Sequence, residues 1–558
     1  MSSEITIPNR YEKALPLALG VIVSFAALAH GAHDLWAAGL VYLAALACAV
    51  WTVVRGASEE GPGVFTAFLI PLFILIGVFA CSFSRAVNPE ESVLALADWT
   101  AAGLLFWVGL HAFRTEGGAR LFSAVIVPSV WAQFLIDVSQ KLSTGSLLTL
   151  SEPTGSLVNA NLEAAYLILW IPVFYHLMRR KQGSLEAFYW GSGFLAAVGG
   201  LLLVSSTWAV ICLLVAIPWW NGPAVLLRWV RERRTSAIWI GLAMTVLAGG
   251  LIWYKFHEVF AHWSPPLPPR ESTTRLDWWR SGLLMFRDFP WLGVGIGNYP
   301  SAYLAYKVGA GQHTLYAHSL PVSLLAETGL FGIAAAGFFG VMWSWCVRSH
   351  WNDCEDRWPF ALGAILFFLF SVISVSFEYL SNLAAAFLLL SLVVSPAVCQ
   401  PRRLRRSIVF IVSAVAVAAL PFLASLFMAS ERVVSGQESL KGEKLPEAIA
   451  HFSSAAELDG LNWEAERGWA AALFQEFQKS RESQTLEAAV AHQRKAVRLN
   501  RLQGALWWEL GVYLQAKGGS WLVEAASCYQ KASECHRSDP RYLKAYEDLK
   551  AQLPEKRL

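Results

Sequence analysis

Charged residues are scarce in this sequence. Asp, Glu, Lys and Arg make up only 15% of the 558 residues, whereas soluble domains carry about 25%. Hydrophobic residues make up 55% of the chain, and the mean hydropathy is +0.44. This composition excludes an ordinary soluble protein and predicts one that is embedded in a lipid bilayer. The formal net charge of +3 gives no indication of a nucleic-acid partner.

Cysteine pairs at metal-ligand spacing are also missing. The eight cysteines are scattered through apolar runs and short loops, and Cys528 and Cys535 share one predicted helix. Seven residues along a helix correspond to about 10 Å of rise, which is too far for an unstrained disulfide. We therefore interpret all eight cysteines as structural and expect neither a metal site nor a cofactor.

Long apolar runs dominate the first three quarters of the chain. About thirteen of them are long enough to cross a hydrocarbon core. They lie near residues 14–30, 35–54, 64–82, 94–113, 119–138, 160–178, 188–204, 206–220, 237–255, 327–347, 358–376, 379–396 and 407–428. The first run could be a signal peptide, but a second follows at once, which favours a retained signal-anchor helix. Only Ser205, Ser206 and Thr207 separate the seventh and eighth runs, which could form one broken helix.

The positions of Lys and Arg predict the topology. These residues concentrate in alternate short loops, which indicates that those loops are cytoplasmic, whereas the other loops offer little more than Arg85 and Lys141. The large loop at 256–317 then lies in the periplasm. We predict an all-α protein of the bacterial inner membrane, with a multi-pass transmembrane domain at 1–428 and a periplasmic helical domain at 429–558.

Small and aromatic residues recur in the segment after 429. Three triplets share this spacing, and a fourth set precedes the last of them. They are Ala448, Phe452 and Ala455; Ala489, Gln493 and Ala496; Ala525 or Ala526, Tyr529 and Ala532; and Trp507, Leu510, Gly511 and Leu514. The pattern resembles degenerate tetratricopeptide repeats, in which small residues let paired helices pack closely. Such a domain would bind a protein partner. An unrelated helical bundle stays open as an alternative.

One set of residues around the 256–317 loop carries a specific resemblance. The set consists of Arg275, Trp279, Pro290, Gly293, Gly295, Gly297, Asn298, His318, Glu327, Gly329 and Gly332, with an upstream stretch at 155–161. In this pattern the sequence resembles the O-antigen ligase and O-antigen polymerase family, over roughly residues 15–400. The resemblance implies a metal-independent transferase. The members of this family move a glycan from an undecaprenyl-diphosphate carrier to a hydroxyl acceptor at the periplasmic face of the membrane.

The chemistry of that reaction suggests roles for two residues. A departing diphosphate needs positive charge, and the planar guanidinium of Arg275 can pair with two phosphate oxygens. The acceptor hydroxyl must lose a proton, and His318 is the natural base. Each residue could instead have a structural role. Arg275 could pair with Asp277 on a surface helix, and His318 could simply be the residue at which a helix starts.

Five further residues are candidates for substrate binding. They are Arg280, Arg85, Trp279, Asn298 and Glu327. Glu327 begins an apolar run and could equally be a structural or orienting group. The glycines at 293, 295 and 297 superficially resemble a dinucleotide loop, but no strand is predicted before them. We expect them to permit tight turns close to the membrane.

The sequence departs from the family pattern at two positions. Thr207 stands where the ligases usually carry a second Arg, and Ser319 replaces the usual Asn after the His. Thr supplies no charge to a diphosphate, so Arg85 or Arg280 would have to compensate. The alternative is a non-catalytic membrane scaffold that kept the ligase fold and binds a partner through its repeats.

Overall fold

The computed structural model describes residues 10–58, 69–143, 153–157, 159–180, 183–204, 206–220, 222, 231–232, 275–308, 314–398, 406–537 and 539–553. Over these residues the protein contains helices and no strand, which confirms the all-α prediction. The predicted span near 237–255 and the first part of the 256–317 loop lie outside the described residues.

The helices up to residue 398 form the body in which the candidate site lies. They are α1 (Arg10–Leu28), α2 (Leu35–Ser58), α3 (Leu69–Ser82), α4 (Pro89–Ala112), α5 (Glu116–Ser143), α6 (Ala160–Arg179), α7 (Ser184–Val204), α8 (Thr207–Ala216), α9 (Arg275–Asp288), α10 (Tyr299–Tyr306), α11 (Leu320–Ser349), α12 (Trp351–Cys354), α13 (Trp358–Ser371) and α14 (Leu380–Val398). We call them together the membrane body.

Six of the described helices are long and apolar enough to cross a membrane. They are α4, α5, α7 and α11 over their whole lengths, Leu35–Val54 in α2, and Val417–Lys441 near the C-terminal part. Four shorter apolar helices accompany them, at Lys13–Leu28, Ile70–Arg85, Thr207–Trp219 and Leu380–Pro396. A helical membrane protein is therefore supported, and the count of about thirteen spans stays a prediction.

Helix α6 forms the centre of the membrane body. It packs against α7 and α13, and its Tyr166, Trp170 and Phe174 are fully buried. Since these side chains are buried against protein, α6 is surrounded by other helices, and Phe106 of α4 and Phe367 of α13 belong to the same core. The candidate site lies outside this core, at the helix ends.

The remaining helices form a second part of the chain. They are α15 (Arg406–Lys441), α16 (Leu445–Leu458), α17 (Trp463–Ser480), α18 (Ser483–Leu499), α19 (Gly504–Lys517), α20 (Trp521–Cys535) and α21 (Pro540–Lys550). Each packs against the next. We call α16–α21 the C-terminal helices. The predicted domain boundary at 428/429 falls inside α15, which is continuous for 36 residues.

Glycines allow aromatic rings to enter between the C-terminal helices. A Cβ atom on Gly436 or Gly468 would lie 2.8 or 2.3 Å from the ring of Phe452. A Cβ atom on Gly511 would lie 2.5 Å from the ring of Tyr529. The repeating alanines of the sequence pattern, such as Ala448, are buried between these helices. The assignment as tetratricopeptide-like repeats stays a prediction.

Candidate functional site

Residues 290–298, which we call the glycine segment, run between α9 and α10. The backbone N–H of Val294 donates to Ala326 O at 2.9 Å, and that of Gly295 donates to Glu327 O at 3.0 Å. On the other side, the N–H of Val87 donates to Val294 O at 3.1 Å. The segment therefore joins α11 to the loop between α3 and α4.

Helix α11 is interrupted where it meets the glycine segment. Gly329 has φ 64° and ψ −158°, which is not helical. A Cβ atom there would lie 2.4 Å from the carbonyl carbon of Trp291. On the opposite side, a Cβ atom on Gly293 (φ +66°) would lie 2.2 Å from the carbonyl carbon of Glu327. Both glycines allow two backbones to approach each other more closely than any other residue would permit.

Asn298 links the end of the glycine segment to the start of α4. Its side chain is fully buried. It accepts from the backbone N–H of Asn88 at 2.5 Å, and its Nδ2 donates to Asn88 O at 3.1 Å and to Ser92 Oγ at 2.8 Å. A further bond from Nδ2 reaches Ile296 O at 3.1 Å. The Asn298 amide, which was a candidate for substrate binding, is therefore hydrogen-bonded to groups inside the protein.

We expect Asn298→Ala to lower the free energy of unfolding by about 2–3 kcal/mol, because it leaves the N–H of Asn88 and the carbonyl of Ile296 buried without their partner. Thermal unfolding of the purified protein in detergent measures the effect. Asn352→Ala is the matched control, since Asn352 is exposed on α12. Equal midpoints for both variants would contradict the structural role of Asn298.

Glu327 caps the start of α10 from the neighbouring helix. Its Oε2 accepts from the N–H of Gly297 at 3.0 Å, and its Oε1 accepts from the N–H of Tyr299 at 3.0 Å. Negative charge is favourable at a helix N-terminus, where N–H groups lack partners within the helix. The side chain is 5% exposed. In this structure Glu327 thus orients α10 and the glycine segment.

His318 precedes α11 in a left-handed backbone conformation with φ 52°. This conformation costs an ordinary residue about 1–2 kcal/mol. The imidazole stacks on the ring of Trp278, with centroids 4.6 Å apart and planes at 25°. Its Nδ1 is buried with no hydrogen-bond partner among the described residues. The ring is therefore held by stacking and by the backbone.

The positive charge of Arg275 acts on His318. Burial and, after it, the positive charge of Arg275 lower the pKa of His318 to about 4. Burial also lowers the pKa of Arg275. At neutral pH the imidazole is consequently uncharged and able to accept a proton. Arg275, the other residue to which the sequence assigned a catalytic role, is thus close enough for its charge to act on the imidazole.

The other predicted residues are placed differently. Arg280 is 68% exposed and lies 3.7 Å from Asp277 Oδ1, so that Asp277 pairs with Arg280. Trp279 is half-buried, and its Nε1 has no hydrogen-bond partner among the described residues. Arg85 is exposed in the short turn that follows α3. These three residues do not share one cluster of contacts with His318.

Sequence reasoning missed Trp278. The family pattern pointed to its neighbour Trp279, whereas Trp278 is the ring that stacks on His318. The carbonyl of Trp278 also accepts from the Tyr299 hydroxyl at 2.7 Å. The pair of adjacent tryptophans was the available signal. On a helix, residues one apart point in directions about 100° apart, so only one of the pair could face the imidazole.

A family model described as O-antigen ligase matches residues 192–337. We call this stretch the ligase region. It contains α9, the glycine segment, His318 and the Gly329 break in α11, and it leaves out Arg85. The match supports the O-antigen ligase family and glycan transfer of that general type. Together with the apolar helices, it supports a bacterial inner-membrane protein that acts on lipid-linked glycans.

The comparison with curated proteins gave no match. The ligase region is about a quarter of the chain. Among the described residues, no group of three or more His, Cys, Asp or Glu side chains could hold a metal ion.

Proposed function

We propose that this protein transfers or polymerises glycans at the periplasmic face of the inner membrane. The donor is a glycan on undecaprenyl diphosphate, and the acceptor is a hydroxyl group. The observation that carries the proposal is the stacking of His318 on Trp278 within the ligase region. Burial and the charge of Arg275 lower the pKa of this imidazole, which favours its neutral form.

The proposed reaction needs one proton transfer and one displacement. The acceptor oxygen attacks the anomeric carbon of the donor sugar while its proton passes to the imidazole of His318. The bond between that carbon and the diphosphate oxygen breaks, and the diphosphate leaves with the electron pair. The guanidinium of Arg275 stabilises the negative charge that develops on the leaving oxygen. The neutral state of His318 is the one that this step requires.

An apolar cavity lies close to this pair and suits a polyprenyl chain. It has a volume of about 440 Å³ and begins at Leu320, the first residue of α11, two positions after His318. Its lining includes Leu75, Trp99, Leu324, Phe339, Phe368 and Phe387. His318 and Arg275 are not part of the lining. A prenyl chain in the cavity would carry its diphosphate toward the start of α11.

Deletion of the gene in its own organism tests the function. We expect undecaprenyl-linked glycans to accumulate and a surface glycan to be lost or shortened, since transfer would stop after the donor has been made. Mass spectrometry of lipid-linked intermediates and gel profiles of surface glycans measure both effects. A plasmid copy of the gene is the control and should restore both profiles. Unchanged profiles in the deletion strain would contradict the proposal.

A further inference from the structure

The C-terminal helices contact the membrane body beside the candidate site. Asn462 Nδ2 donates to Glu90 Oε1 at 2.9 Å, and Asn500 Nδ2 lies 3.5 Å from Ser301 Oγ in α10. Glu90 belongs to the first turn of α4, next to Asn88. The contact thus involves the same helix start and the same short helix that the glycine segment holds in place.

Two arginines meet at this contact. The Nη2 of Arg501 donates to the backbone carbonyl of Arg85 at 2.7 Å. Both side chains are exposed, and neither forms an ion pair with a carboxylate among the described residues. The part of the Arg501 side chain that is covered by protein and, after this partial burial, the positive charge of Arg85 lower the pKa of Arg501. The Arg501 guanidinium therefore lies against the backbone of Arg85 and within reach of its charge, and no carboxylate in the described part of the chain pairs with either residue.

Packing on both sides fixes the two arginines. Leu502, which follows Arg501, packs against a cluster that contains Val87, two positions after Arg85. Ala317 and Trp278, which flank and stack on His318, belong to the same cluster. The indole N–H of Trp507 also donates to Arg501 O at 2.8 Å. Chain neighbours of Arg85, Arg501 and His318 consequently pack in one apolar cluster.

We propose that Arg85 and Arg501 together bind the phosphate of a membrane lipid. The site is composite, with one arginine three residues after the apolar helix α3 and one from the connection between α18 and α19. The guanidinium group matches phosphate oxygens in a planar, bidentate geometry. An anion between two adjacent cations removes their repulsion, and the end of a membrane helix is the level at which lipid phosphates lie.

Two lipids offer this chemistry, the undecaprenyl-diphosphate donor and an ordinary anionic phospholipid. For the donor, the inference rests on the proposed function. It then identifies a cation, Arg501, that can supply the charge missing at Thr207. Arg501 lies outside both the ligase region and the membrane body, so the C-terminal helices would contribute directly to donor binding.

Lipid binding by the full-length protein in detergent tests the proposal. Native mass spectrometry gives the Kd for undecaprenyl diphosphate and, in a separate arm, for phosphatidylglycerol. We expect Arg85→Gln and Arg501→Gln each to raise the Kd of at least one of these lipids about tenfold, the loss of one charged hydrogen bond. Arg501→Lys should raise it less, because it keeps the charge. The matched control is Arg498→Gln, since Arg498 is exposed in the last turn of α18, three residues before Arg501.

The two arms identify the source of the phosphate. A higher Kd for undecaprenyl diphosphate alone assigns the site to the donor, and a higher Kd for phosphatidylglycerol alone assigns it to the bilayer. Either of these outcomes supports a lipid-phosphate site. A Kd within about twofold of the native value for both lipids in both glutamine variants would overturn it. Both arms measure binding alone, so this result does not depend on whether transfer occurs.

Discussion

Replacing His318 with Ala should lower kcat/KM for glycan transfer by at least about 100-fold, since a positioned general base contributes roughly 100- to 10,000-fold. Arg275→Ala should cause a loss of similar size, because the leaving diphosphate would lose its nearest charge in a site of low dielectric constant. Transfer from a lipid-linked donor by the purified protein measures both effects. Surface-glycan profiles of a complemented deletion strain measure them in cells.

Arg287→Ala is the matched control for the arginine. Arg287 lies on the same helix α9, is 70% exposed and pairs with Asp288 at 3.0 Å. It should transfer glycan at the native rate. If folded Arg275→Ala and His318→Ala proteins both complemented the deletion strain fully, the catalytic proposal would be wrong and a non-catalytic scaffold would take its place.

The pH dependence gives an independent readout of His318. Because burial and Arg275 lower its pKa to about 4, the acidic limb of the rate profile should lie near pH 4 and not near the ordinary value of 6.5. Between these values the unfolded state binds more protons than the folded state, so the contribution of His318 to stability falls as the pH drops from 6.5 to 4. An acidic limb near pH 6.5 that Arg275→Ala leaves unmoved would contradict this account.

Gly329→Ala should destabilise the protein strongly. The new Cβ would face the carbonyl carbon of Trp291 at 2.4 Å, and the backbone has a φ of +64°. Strain of about 1–3 kcal/mol from a backbone conformation that essentially only glycine adopts, and about 1–3 kcal/mol from overpacking, together predict a loss of about 2–6 kcal/mol. The yield of monodisperse protein and its thermal midpoint in detergent measure the loss.

Gly337 provides the control in the same helix. No atom lies within 4 Å of a Cβ built there, and Ala stabilises a helix interior relative to Gly by about 0.5–1 kcal/mol. Gly337→Ala should therefore keep or raise the midpoint. If the two variants unfolded at the same temperature, the close approach of α11 to the glycine segment would not be a stabilising feature.

Local patterns in the sequence predicted those features that depend on neighbouring residues. Ten of the described helices are apolar, six of them long enough to cross a membrane, and the repeating alanines after residue 429 are buried between helices. The break at Gly329 was not predicted, because the run near 327–347 looks like an uninterrupted span. In the structure the helix starts earlier, at Leu320, and the break appears where another backbone crosses it.

Contacts between distant parts of the chain could not be predicted from one sequence. The bond from Asn88 to Asn298 joins residues 210 positions apart, and the bond from Arg501 to Arg85 joins residues 416 positions apart. Such contacts depend on tertiary packing, for which the spacing of residue types along the chain gives no signal. These contacts nevertheless determine which polar groups are hydrogen-bonded inside the protein and which can face a substrate.

Helix α15 determines how the C-terminal helices approach the membrane body. It rises about 1.5 Å and turns about 100° per residue. One inserted residue after the membrane segment would rotate everything beyond it by about 100°, which would carry Arg501 away from Arg85. Seven inserted residues would nearly restore the rotation but lift the C-terminal helices by roughly 10 Å. No insertion preserves both the rotation and the axial position of the C-terminal helices. The length of α15 therefore determines whether Arg501 can contact Arg85.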